Sequence, residues 1–238
     1  MTQKDFVITA MLKNGKFATL SQLYHLTDVG SWRSKTPFAS IRRIVQTNDD
    51  FFKIEPGLWG LSEFKDEILA RLNAPKSKNG SQNLNEWSHS YYQGIIAQIG
   101  NLRHFQTYVP PQDKNRLFVD KKLGEVTTLD QIYKFSFENI VARAKNVDVI
   151  WFNERNLPSA FFEVEHSTDF KNSLNKFYEL QDFNAKMFIV ADKNRRAQFN
   201  DIIAASIYRT IAPSVRFADY ESIVKQYEIA SVKIGAGI

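Results

Sequence analysis

The chain of 238 residues has no cysteine. That excludes a disulfide framework, a thiolate-ligated zinc or iron–sulfur site and a thiol nucleophile, and it fits a reducing compartment. No stretch reaches the ~18 apolar residues needed to span a bilayer. The opening Met1-Thr2-Gln3-Lys4-Asp5-Phe6 has no apolar run of the signal-peptide kind. The expectation is a soluble cytoplasmic protein without a membrane partner. No repeat recurs at spacings of roughly 20–50 residues. An excess of one charge sign is also nearly missing. Lys and Arg number 31 against 26 Asp and Glu, a formal net charge of +5. Residues 1–72 carry 10 basic and 8 acidic side chains, and residues 87–238 carry 19 and 17. A surface for a polyanion must therefore come from local placement. What is present is ordinary for a folded protein: 43% hydrophobic and 24% charged residues, with 19 Phe and 9 Tyr, which promise an aromatic-rich core.

Composition breaks once, over Asn73 to Glu86, a stretch of turn formers with Leu84 as its large apolar residue. This reads as a linker. It separates a domain at 1–72 from one at 87–238.

In the first domain, Phe6, Val7, Ala10 and Met11 follow helical spacing over Lys4 to Lys13. Thr19 stands as the cap of a short helix carrying Leu20, Leu23, Tyr24 and Leu26. Thr36 caps a third helix with Pro37 at its first position. That helix places Phe38, Ile41, Ile44 and Val45 on one face and leaves Ser40, Arg42, Arg43 and Gln46 outward. Phe51 to Ile54 and Leu58 to Leu61 are short extended runs joined by the turn Glu55-Pro56-Gly57. The order helix, helix, helix, hairpin is that of a winged helix-turn-helix. Over residues 3–64 the chain resembles winged-helix DNA-binding domains, on Thr36-Pro-Phe-Ala-Ser-Ile-Arg-Arg-Ile-Val and Phe52-Lys-Ile-Glu-Pro-Gly-Leu-Trp-Gly-Leu. The resemblance implies that the third helix enters the major groove and the wing lies along the backbone. The expected contacts to double-stranded DNA are Lys35, Thr36, Ser40, Arg42, Arg43, Gln46 and Lys53. A solvated helix face, or a winged helix that binds protein, is the competing reading.

In the second domain a helix is expected over Trp87 to Gly100, with Tyr92, Ile95, Ile96 and Ile99 as its stripe. Strands are expected over Phe105 to Val109, Val147 to Phe152, Ala160 to Glu165, Met187 to Ala191 and Val215 to Ala218. Helices are expected over Asp169 to Asn184 and Arg195 to Thr210. This describes an α/β domain with a mixed central sheet.

Its chemistry-bearing feature is Asp148, followed by Glu163-Val164-Glu165. Side chains on a strand alternate, so Glu163 and Glu165 share a face while Phe162 and Val164 take the other. Asp148 lies in the adjacent strand of the expected hairpin. Three carboxylates on one face of a buried hairpin repel and lose solvation. A hard divalent cation, Mg²⁺ or Mn²⁺, resolves that conflict. A solvated edge hairpin for the two glutamates, and a turn-capping role for Asp148, remain the bland alternatives.

These residues resemble the PD-(D/E)xK restriction-nuclease superfamily, in which one strand ends in an acid and the next carries a (D/E)-x-K triplet. Asp148 matches the first acid and Glu163 the second, and Glu165 stands where lysine is commonest. With Tyr92-Gln-Gly and Tyr108-Val-Pro-Pro-Gln-Asp-Lys-Asn upstream, the chain looks like a restriction-endonuclease group bearing an N-terminal helix-turn-helix. The resemblance implies an α/β (α+β) protein in which a winged helix-turn-helix precedes a restriction-endonuclease-like mixed-sheet domain. It implies a Mg²⁺-dependent site-specific nuclease acting on double-stranded DNA as a homodimer. Asp148 and Glu163 would hold the metal. Glu165 would orient or deprotonate water, or bind a second metal. Family helices preceding the sheet often offer a glutamate, and here that helix offers Gln98. His166 reads as a packed or solvent histidine, with a ligand or general base as its alternative. Lys176 and Gln181 read as surface residues, with reach to DNA as theirs, and Lys193-Asn194-Arg195-Arg196 as either a solvated helix start or a phosphate holder. A winged-helix regulator with a ligand-sensing α/β domain, and a metal-free carboxylate-pair hydrolase, are the rival functions.

Overall fold

The computed structural model describes residues 1–73, 83–166 and 169–235. Most of the expected linker lies outside these, although the helix that follows it starts at Asn83, inside the stretch read as linker. The chain divides into two compact units. One comprises Met1–Leu84 with Val224–Ile238, and the other Asn85–Ile223.

The first unit opens with α1 (Gln3–Lys13), whose start is closed by a capping box of Thr2 and Asp5. Strand β1 (Phe17–Thr19) follows, and Thr19 with Gln22 caps α2 (Leu20–Leu26) in the same way. Helix α3 (Pro37–Thr47) begins on proline and buries Ile41, Ile44 and Val45. Its cap residue, Thr36, makes no side-chain capping bond. Strands β2 (Phe51–Glu55) and β3 (Leu58–Leu61) form the hairpin expected from the sequence. β1 pairs antiparallel with β3, giving the order β1-β3-β2. The two-residue reach of the turn requires Gly57, which has φ +77°. Helix α4 (Lys65–Asn73) ends the continuous part.

The second unit begins with most of α5 (Asn83–Leu102). Then come β4 (Gln106–Tyr108), the small hairpin β5 (Leu117–Phe118) and β6 (Lys121–Lys122), α6 (Leu123–Val126) and α7 (Glu138–Ala144). The central hairpin is β7 (Val149–Phe152) and β8 (Pro158–Glu165). Helix α8 (Phe170–Glu179), β9 (Lys186–Ala191), α9 (Arg196–Ile203), β10 (Val215–Asp219) and α10 (Tyr220–Gly235) complete the chain. The five-stranded sheet has the order β10-β9-β8-β7-β4. β9 runs parallel to both β8 and β10, while β7 is antiparallel to β8 and β4. The sheet is therefore mixed, as expected. The helix expected over Arg195 to Thr210 is broken after Ile203, and the one expected to reach Asn184 stops at Glu179.

The last helix departs from the expectation of one continuous second domain. From Val224 on, α10 groups with the first unit. Ser21 donates to Ser231 inside that unit, and a side chain on Gly57 would come within 2.3 Å of Val224.

Two faces of the sheet are covered for different reasons. Ile150, Phe152, Phe161, Met187 and Ile189 join Phe170, Leu174 and Phe177 of α8 and Phe199 of α9 in one apolar cluster. On the other face Trp151 donates its indole N–H to the Ile96 carbonyl of α5 at 3.1 Å. Gly94 of α5 lies against Phe118, whose ring and Cβ would stand 2.2–2.9 Å from an added Cβ. Alanine at a helix interior is ordinarily worth about 1 kcal/mol more than glycine. Here the overlap reverses the sign. Gly94→Ala should destabilise the protein by about 1–3 kcal/mol, read as an earlier midpoint in chemical denaturation. A later midpoint would place Phe118 elsewhere.

Candidate active site

β8 carries Glu163 and Glu165 on the face that also presents Phe161 to α8. Asp148 stands one residue beyond the Val149↔Phe162 pair that starts the β7–β8 ladder. Its Oδ2 accepts the backbone N–H of Val164 at 2.8 Å, which fixes the carboxylate beside the two glutamates. Helix α8 closes the site. Its cap, Asp169, accepts from the Lys171 N–H, and Leu174 and Phe177 anchor it to the sheet. Ser173 and Lys176, three residues apart on one face, are thereby held over β8. Lys176 Nζ lies 3.0 and 2.8 Å from the two oxygens of Glu163 and donates to the Asn146 carbonyl at 2.9 Å. Ser173 Oγ donates to Glu163 Oε2 at 3.0 Å and also lies against the Glu165 carboxylate.

The three acids are thus brought together, and burial makes them unlike one another. Glu163 and Glu165 are 2% and 5% exposed. Burial, and then the charge on Asp148, push Glu163 up to about 8, and Lys176 only partly offsets them. Burial also raises Glu165. Asp148 meets the same burial, but the hydrogen bond and charge of His89, the Lys176 ammonium and the Val164 N–H together hold it below the ordinary carboxylate value. Lys176 is raised in turn, because Glu163 and Asp148 outweigh the cost of its burial. The set therefore holds more buried carboxylate than its own cations neutralise. That is the condition of oxygen donors that fit a hard divalent ion.

Lys176 corrects a reading of the sequence. It was expected on the surface, yet it pairs with a buried glutamate. It supplies next to Glu163 the cation that Glu165 does not. Helix α5 contributes His89 and Gln93 in place of Gln98. His89 Nε2 lies 3.5 Å from Asp148 Oδ2, and Gln93 donates to Asp113 Oδ2 at 2.8 Å and to the Asp148 carbonyl at 3.3 Å. Their four-residue spacing on a helix was the available signal. Asp113 comes from the Pro-Pro-Gln-Asp run, with no periodicity to mark it. His166 Nδ1 meets the Tyr220 hydroxyl at 2.9 Å, and burial, then the His89 and Arg195 charges, lower its pKa to about 4. Arg195 donates to the Glu165 carbonyl at 3.0 Å, and Arg196 pairs with Asp219.

In the first unit, Lys35, Thr36, Arg43, Gln46 and Lys53 are exposed, and Ser40 is half-buried with its hydroxyl 3.3 Å from the Thr36 carbonyl. Arg42 differs from the expectation of an outward residue. Its guanidinium pairs with Glu228 of α10 and donates to the Tyr24 hydroxyl at 3.4 Å.

The family model for the C-terminal domain of the type II restriction enzyme NmeDI matches residues 71–236. The type II restriction enzyme NmeDI of Neisseria meningitidis serogroup C is 31% identical over 124 residues, 48% of this chain and 35% of that enzyme. The chain thus spans about a third of that curated relative. No solved structure matches the chain. Since the family model covers most of its length, including both strands of the acidic hairpin, α5 and α8, the chain belongs to the NmeDI C-terminal-domain family of type II restriction enzymes.

Proposed function

We propose that the protein is a Mg²⁺-dependent endonuclease of double-stranded DNA, of the PD-(D/E)xK kind, working in the cytoplasm. The observation that carries the reading is the juxtaposition of Asp148, Glu163 and Lys176 at one end of a buried hairpin. Membership in a restriction-enzyme family makes a regulator or a glycosidase the weaker account.

Asp148 and Glu163 would hold the metal. A bound Mg²⁺ activates water and neutralises charge on a phosphodiester during in-line displacement. The side chains divide the remaining work. Asp148, kept ionised by its neighbours, is the permanent anion of the pair. Lys176 orients the Glu163 carboxylate through contacts to both of its oxygens, and it offers positive charge where a scissile phosphate gains negative charge. Glu165 has its proton affinity raised by burial and is held by Ser173, which suits it to accept a proton from water. One such site cuts one strand, so a pair of chains serves a duplex.

The N-terminal unit is the reader in this account, a winged helix with α3 in the major groove and the β2–β3 hairpin along the backbone. Lys35, Thr36, Ser40, Gln46 and Lys53 remain its proposed contacts. Arg43 is the exposed arginine of α3, whereas Arg42 is engaged with Glu228 and serves the packing of the unit.

Plasmid incubated with the protein should be cut with Mg²⁺ and left intact with EDTA. Asp148→Asn and Glu163→Gln should lower the rate by at least ~10³-fold with the fold retained by circular dichroism, and Lys176→Ala by ~10²-fold or more. Cleavage by either carboxylate variant near the wild-type rate would refute the site.

Duplex binding at several salt concentrations separates the two arginines. Arg43→Ala should weaken binding and reduce the salt slope by about one unit. Arg42→Ala should instead lower the melting temperature, because it strips a buried glutamate of its partner. No change in binding for Arg43→Ala would remove α3 from the DNA contact.

A further inference from the structure

A second constellation overlaps the proposed catalytic pair at Asp148 and adds His89 and Asp113 to it. His89, Asp113 and Asp148 each offer a ligand atom, and these atoms lie within 4.8 Å of one another. Two donors held at ~2.0–2.2 Å from one cation sit about 3–4 Å apart, and His89 Nε2 and Asp148 Oδ2 are at 3.5 Å already. We propose that His89, Asp113 and Asp148 form a second divalent-cation site, sharing Asp148 with the first and suited to a transition ion that accepts imidazole beside carboxylate, such as Mn²⁺, better than to Mg²⁺.

Three features support it. The first is the shell around the ligands. Asp113 is 4% exposed, and its carboxylate is held by the Gln93 amide at 2.8 Å and Arg116 Nε at 3.1 Å. Asp148 is held by the Val164 N–H. Ligands oriented by such outer hydrogen bonds are the rule in metal sites. The second is Gln93 itself. It is 0% exposed, and its NH₂ bridges the Asp113 carboxylate and the Asp148 carbonyl. Among the described residues its Oε1 is buried with no hydrogen-bond partner. A buried amide oxygen is costly without a donor or a cation, and amide oxygens are competent ligands for hard ions. The third is donor type. Imidazole shifts preference from Mg²⁺ toward Mn²⁺, Co²⁺ and Zn²⁺, which take nitrogen and carboxylate together. The side chains of His89 and Asp148 keep 21% and 13% exposure, so an ion can enter.

The inference rests on the nuclease reading through the shared Asp148, and the test separates the two. The full chain is titrated with Mn²⁺ and followed by pulsed electron paramagnetic resonance for ¹⁴N coupling to the ion. Wild type should bind two Mn²⁺ per chain, one of them nitrogen-coupled. His89→Ala should lose that coupling and weaken one of the two sites by ~10-fold or more, while the other remains. Asp113→Asn, which keeps the shape of the buried side chain, should weaken the same site. Glu163→Gln should retain the nitrogen-coupled ion. The chain has four histidines, so coupling that survives His89→Ala, or none in wild type, overturns the proposal. Plasmid cleavage is scored on the same samples. A nitrogen-coupled ion without cleavage under any metal defeats the nuclease reading alone, and cleavage without a nitrogen-coupled ion defeats this site alone.

Discussion

The burial of Glu163 beside Asp148, with Lys176 across from them, is the constraint on which the site depends. Two carboxylates taken out of water on neighbouring strands cannot both ionise without cationic help. Lys176 supplies one charge from α8, His89 reaches Asp148 from α5, and the Val164 N–H adds a dipole. The remaining imbalance appears as a glutamate held protonated up to about 8. Layers of packing hold the imbalance in place. Phe170, Leu174 and Phe177 press α8 onto the sheet, and Tyr91, Tyr92, Ile95 and Ile96 seat α5 within the same unit.

Much of the fold was legible from residue patterns because the elements were locally determined. Apolar runs found β7, the start of β8, and β9, and amphipathic stretches beginning after Thr19 and Thr36 found α2 and α3. Elements without such marks were missed. β1 has three residues and pairs with β3 of the hairpin, and β5 and β6 have two each. The place of α10 was not legible either, since sequence adjacency says nothing of a final helix packing back on the first unit.

The site divides in the same way. The pairing of Glu163 with Glu165 followed from strand alternation, and Asp148 from its place in the adjacent strand. Lys176 did not, because on its own helix it looks like any exposed lysine, and only the seating of α8 over β8 turns it toward Glu163. His89, Gln93 and Asp113 converge from a helix and a turn, so no single spacing reveals them together. Arg42 is the converse case. Helical phase points it outward, and Glu228, 186 residues away, captures it.

The central claim is that Glu163 belongs to a divalent-cation site. If so, Mg²⁺ binding must expel the proton that burial keeps on it. Titration calorimetry at pH 7 in buffers of different ionisation heat counts that proton. The account requires release of about one proton per Mg²⁺ in wild type, declining above pH ~9 where Glu163 is already ionised, and markedly less in Glu163→Gln. Mg²⁺ binding with no proton release at pH 7, or with the same release in Glu163→Gln, would contradict it.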